Sequence, residues 1–130
     1  MHLIGVMTRI IIESLSNITL LTSLVSMTVA QVIKVIYYRI VEKKFNFHHF
    51  FEAGGMPSSH SALVCALSAM VGLSAGFDSI VFAAVVIFSS IVMYDAIKVR
   101  AEEVGHTIVE VAIGGLLGFI ISLIFYLKFF

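Results

Sequence analysis

Four stretches of this chain contain no Asp, Glu, Lys or Arg: Ser14–Ile33, Ala53–Phe77, Ser79–Tyr94 and Val111–Leu127. At a rise of 1.5 Å per residue a membrane-crossing helix needs about 20 residues, and about 17 suffice where its ends run past a charge. The pattern predicts four transmembrane helices, from near Asn17 to Arg39, Pro57 to Ala75, Ser79 to Lys98 and Gly105 to Leu127. Composition agrees. The chain is 60% hydrophobic and 12% charged, against roughly 45–50% and 25% in an ordinary soluble domain. That leaves too little polar surface for a water-soluble globule of this size, and it excludes a disordered segment.

The expected fold is therefore all-α, an integral membrane bundle forming a single domain over residues 1–130. There is no internal repeat, and the single proline, Pro57, falls at a helix start. The first 14 residues show no small-residue cleavage site and carry Arg9 within an apolar run. They read as an interfacial segment and not as a removable signal peptide. Four spans would put both termini on one side and the loops after the first and third helices on the other. Those regions hold Lys34, Arg39, Lys43, Lys44, Lys98 and Arg100, six of the eight basic residues. The excess of positive charge on cytoplasmic loops places them in the cytoplasm, in a plasma (inner) membrane. The formal net charge is zero, so no bulk field would gather nucleic acid. Cys65 is the one cysteine, which rules out an internal disulfide or a cysteine zinc cluster.

The unusual polar residues fall at the membrane end where those two loops lie. Lys34 closes the first helix, GGMPSSHS opens the second, Asp95 to Arg100 closes the third, and Gly105, His106 and Glu110 open the fourth. Ionisable groups at membrane depth are costly unless paired, so their convergence points to a functional site. His106 and Glu110 are four apart, hence expected on one helical face, where the carboxylate can hold one imidazole nitrogen and leave the other free. Arg100 offers a planar fork of donors for phosphate oxygens. Gly54, Gly55, Pro57, Ser58 and Ser59 combine a flexible turn with a helix N-terminus, which favours an anion, and His60 lies in that first turn. Plainer roles coexist with these: an N-cap for Ser58, a first-turn hydroxyl for Ser59, snorkelling for Lys34, a partner of Lys98 or Arg100 for Asp95. His48 and His49 read as interfacial loop residues. Gly114 and Gly118 form a small-xxx-small pair that lets a neighbouring helix approach closely.

The segments AQVIKV, GGMPSSHSA, GFDS, VMYDA, VR and GHTIVEV, in this order, resemble the divergent branch of the type 2 phosphatidic acid phosphatase superfamily, which is related to vanadium-dependent haloperoxidases. The resemblance covers roughly Asn17 to Gly118. It implies that His106 attacks phosphorus to form a phosphohistidine, that His60 protonates the leaving group, and that Glu110 orients His106. It further implies that Lys34, Ser59 and Arg100 bind the phosphoryl group, with no metal or other cofactor; the helix start adds Ser58 and Gly55 to that set. Val41 and Glu42 stand where the superfamily has an arginine-proline pair, so Arg39, with Asp95, is only a candidate supporting residue. The segment from Arg100 to His106 is shorter than in the family. Larger members have six helices; a homodimer of this chain would complete the lipid-facing wall.

The expected function is metal-independent hydrolysis of a membrane lipid phosphate, for which the resemblance suggests phosphatidylglycerophosphate, phosphatidate or a polyprenyl diphosphate. Two other readings use the same residues. His60, His106 and Glu110 could ligate zinc in an intramembrane hydrolase, or the cluster could bind lipid headgroups without turnover.

Overall fold

Every regular element is a helix in this computed structural model, which describes residues 1–43, 55–99 and 105–130. In chain order these are α1 (His2–Leu15), α2 (Ile18–Glu42), α3 (Ser59–Ala75), α4 (Ile80–Tyr94), a π-helical turn (Asp95–Val99) and α5 (Ile108–Phe129). Local chemistry sets where they start. The side chains of Asn17, Ser58, Ser79 and Thr107 accept from the backbone N–H groups of Leu20, Ser61, Phe82 and Glu110. Each thereby satisfies a donor that the helix itself cannot, worth about 1 kcal/mol per cap.

Among the described residues three stretches are long and apolar enough to cross a membrane: Ile18–Val41, Ile80–Lys98 and Ile108–Phe129. The expected second span, α3, is shorter. Its 17 residues rise only about 26 Å, against about 30 Å of hydrocarbon. It sits instead at the centre of the bundle, packed against α2, α4 and α5. Small residues make that possible: Ser59, Ser61, Ala62, Ala66, Ala69 and Gly72 are all buried on it.

The α3–α5 seam repeats every fourth residue on both helices. A Cβ on Gly114 would collide with the carbonyl of Ser58, and one on Gly118 with the carbonyl of Ala62. One turn further, Ser122 Oγ donates to the Ala66 carbonyl at 3.1 Å. The pairs Gly114–Ser58, Gly118–Ala62 and Ser122–Ala66 advance together, so α3 and α5 run parallel and begin at the same end.

Two boundaries differ from expectation. The helix after Asn17 does not stop at Arg39 but continues to Glu42, with Lys43 in the left-handed conformation at its end. The span expected from Ser79 to Lys98 keeps those limits, its α-helical part ending at Tyr94 and a π-turn over Asp95–Val99 completing it. The last helix starts at Ile108 and not at Gly105, because Thr107 and Glu110 form a capping box: each side chain accepts from the other residue's backbone N–H.

Candidate functional site

The shared end of α3 and α5 gathers the polar residues. Ser58 N–H donates to the Glu110 carbonyl at 3.1 Å, tying the cap of α3 to the first turn of α5. Two helix N-termini, each with roughly half a positive charge, thus stand side by side. His106 N–H donates to the Ala96 carbonyl at 2.9 Å. That carbonyl belongs to the π-turn, at a helix end where the last carbonyls lack partners within the helix, and the bond fixes the backbone of His106 against the end of α4. Gly55 brings in α2: it has φ +94°, and a Cβ there would run into the Tyr38 ring. The chain ahead of α3 therefore lies directly on the C-terminal part of α2.

Within this junction His106 is 7% exposed. Its ring Nδ1–H donates to Glu110 Oε2 at 3.3 Å, while Nε2 is buried without a hydrogen-bond partner among the described residues. Glu110 is more constrained than the sequence suggests, since the same Oε2 accepts from Thr107 N–H at 2.8 Å. His106 precedes the N-cap, so it does not share a helical face with Glu110. The two meet because the chain folds back at the capping box. Lys34 is wholly buried, at 0% exposure, with two further turns of α2 beyond it. It neither closes the helix nor snorkels to its end. Ser58 and Ser59 are buried, and Ser61 Oγ donates to Ser58 Oγ at 3.0 Å. His60, between buried neighbours, has an exposed side chain. Asp95 opens the π-turn, half-buried, and Arg39 lies in the last turn of α2.

Residues 15–104 match the divergent PAP2 family. The chain belongs to the divergent PAP2 family. It is also 50% identical over 88 residues to an uncharacterized membrane protein, YuiD, of Bacillus subtilis (strain 168). That match takes in 68% of this chain and 56% of the relative, so the chain spans little more than half of that protein's length. No solved structure matches. With this family and three apolar spans, the chain is a PAP2-related membrane protein. The family match holds Lys34, the turn through His60 and Arg100, and ends two residues before His106.

In this divergent PAP2 protein, hydrogen bonds join the segments carrying Ser58, His106, Glu110 and Ala96, and Gly55 joins them to α2. Arg100 lies outside the described residues, as do Gly54, His48 and His49. Among the described residues no group of three or more His, Cys, Asp or Glu side chains is arranged to hold a metal ion. The zinc set of His60, His106 and Glu110 is therefore not assembled here. Sequence reading missed Thr107, whose Thr-x-x-Glu spacing was a legible cap signal. It also missed Ala96, which acts through its carbonyl and leaves no side-chain signature. Gln31 was missed too: its Oε1 is buried without a hydrogen-bond partner among the described residues, one turn before Lys34 on α2.

Proposed function

We propose that this protein is a lipid phosphate phosphatase acting through a phosphohistidine. The observation that carries the reading is His106: Nδ1 is engaged by Glu110 while Nε2 is buried with no hydrogen-bond partner among the described residues. An imidazole whose proton is held on Nδ1 presents the Nε2 lone pair as a nucleophile. Nε2 attacks phosphorus, the bond from phosphorus to the lipid oxygen breaks, and His60 gives its proton to the departing oxygen. His60 then takes a proton from water as that water's oxygen attacks phosphorus. The P–N bond breaks, and inorganic phosphate and free His106 result. Lys34, the N-terminal turns of α3 and α5 with Ser58, Ser59 and Gly55, and Arg100 neutralise the phosphoryl oxygens. No metal enters these steps. Asp95 and Arg39 support that charge network from the ends of α4 and α2.

The substrate class follows from where such a site would lie. A phosphate cluster at one end of an apolar bundle stands at headgroup depth, suited to phosphatidylglycerophosphate, phosphatidate or a polyprenyl diphosphate. In this reading the chain is one domain, α3 is a short fourth pass, and α1 lies in the opposite interface. The site faces the cytoplasm from a plasma (inner) membrane, and two copies pair to complete the lipid-facing wall.

Phosphate release from these lipids by the purified chain in detergent with excess EDTA tests the reading, beside His106→Ala. Activity that survives the chelator and is lost in the variant is the expected result. A folded wild-type protein that binds the lipids but releases no phosphate would overturn catalysis in favour of headgroup binding. Activity that needs added metal would overturn the histidine mechanism.

A further inference from the structure

Small residues do not close every seam of the bundle. α4 packs along α3 but stands off from α5, and between them runs an open groove of about 310 Å³ lined by Cys65, Ser68, Phe77, Phe82, Met93 and Phe119, among others. Its hydroxyls are already engaged. Ser68 Oγ donates to the Val64 carbonyl at 2.9 Å and lies 2.8 Å from Ser89 Oγ, which donates to the Val85 carbonyl at 2.8 Å. A wall whose polar atoms are satisfied internally offers nothing to water or a polar ligand and suits hydrocarbon.

The groove's direction identifies the hydrocarbon. Met93 marks its upper end, two residues before the π-turn that grips His106 through Ala96. Phe82 and Phe77 mark its lower end, near the far ends of α4 and α3. From Met93 to Phe82 is 11 residues along α4, about 16 Å of helix, and the whole length lies within the apolar spans. A lipid whose phosphate rests at the shared N-termini of α3 and α5 must lead its chain along a face of those helices, and α2 packs over one such face on both of them. The α3–α5 seam is shut, because Gly114 and Gly118 leave no room beside the Ser58 and Ala62 carbonyls. The α4–α5 side is open.

We infer that this groove holds an acyl chain of the lipid phosphate whose headgroup occupies the His106 site, so that chain length contributes to substrate selection. The inference rests on the phosphatase reading for the identity of the headgroup.

The test uses the full chain in lipid nanodiscs. Phosphatidate carrying a diazirine midway along its acyl chain, and phosphatidylcholine with the same chain, are photolysed in separate samples at equal concentration. Adducts are mapped by mass spectrometry. Phosphatidate is expected to label the α3 and α4 segments around Cys65, Phe82 and Met93 at least fivefold more than phosphatidylcholine. Equal labelling would make the groove a seat for bulk lipid and overturn the inference. In parallel, Ser90→Phe, an exposed position on the groove's rim, is expected to lower kcat/KM for dioleoyl phosphatidate at least tenfold and for dibutyryl phosphatidate less than twofold. Equal losses on both substrates, or none on the long one, would overturn it. Wild-type protein that releases no phosphate yet labels selectively from phosphatidate would refute the phosphatase reading and leave the groove assignment standing.

Discussion

The backbone N–H of Ser58 donates to the carbonyl of Glu110 at 3.1 Å, and four residues along α5 Gly114 lies so close to the Ser58 carbonyl that a Cβ there would overlap it. The contact and the bond together set the separation of the two helix starts from which the site is built. Gly114→Ala must push α3 and α5 apart where no flexible side chain can yield. Overpacking of this kind costs about 1–3 kcal/mol, and the shift reaches His106 through Glu110. The expected outcome is a lower unfolding midpoint in detergent and at least a tenfold loss of phosphate release. Gly5→Ala, where a Cβ meets nothing within 4 Å, should change neither. Full turnover by folded Gly114→Ala protein would show that the helix separation does not govern the site.

Glu110 carries two duties that substitution can separate. Its Oε2 caps α5 by accepting from Thr107 N–H and also holds His106 Nδ1. Glutamine can still cap, since the capping box accepts Glu or Gln at this position. It cannot supply the negative charge that favours an imidazole cationic in the transition state. Glu110→Gln should therefore keep the wild-type unfolding midpoint and lose roughly a hundredfold in kcat, within the range for acid–base partners. Glu110→Ala should lose both, with about 1 kcal/mol of stability gone with the cap. A Gln variant as active as wild type would remove Glu110 from the chemistry.

Lys34 is buried completely two turns inside α2, a position no snorkelling lysine occupies. If its ammonium meets the phosphoryl oxygens, Lys34→Met should insert into membranes and fold, and lose at least tenfold in kcat/KM on lipid phosphates. Lys34→Arg should restore little, because a planar guanidinium spreads its charge over a larger fork than a compact ammonium and does not replace it in a closely packed site. Unchanged kcat/KM in Lys34→Met would assign the lysine to the bundle's structure alone.

Much of this arrangement is legible in the sequence. Uncharged stretches announced the helices, and Ser79 and Asn17 fixed two starts to within a residue because both cap by simple side-chain acceptance. The convergence of GGMPSSHS with the Gly105–Glu110 segment followed from topology. The manner in which His106 meets Glu110 did not. Helical periodicity places residues four apart on one face, and it misled because the Thr107 cap lies between them and starts the helix two residues after the histidine. Lys34 is misplaced for a different reason: its own charge ends the uncharged stretch at Ile33, whereas the helix runs on past it to Glu42. The grip of Ala96 on His106 was unreadable, because a backbone carbonyl has no residue-type signature.

The two histidines should be separable by their timing. In the proposed sequence His60 serves both steps, protonating the leaving oxygen and then activating water. An aryl phosphate leaves without a proton, so His60→Ala should still form the phosphohistidine on such a substrate but hydrolyse it slowly. Rapid mixing should then give a burst approaching one aryl alcohol per protein followed by a slow phase. Radioactive phosphate should remain on His106, acid-labile and alkali-stable. His106→Ala should give neither burst nor label. A slow, linear release without a burst in His60→Ala would place His60 outside the second step, and label on a residue other than His106 would overturn the choice of nucleophile.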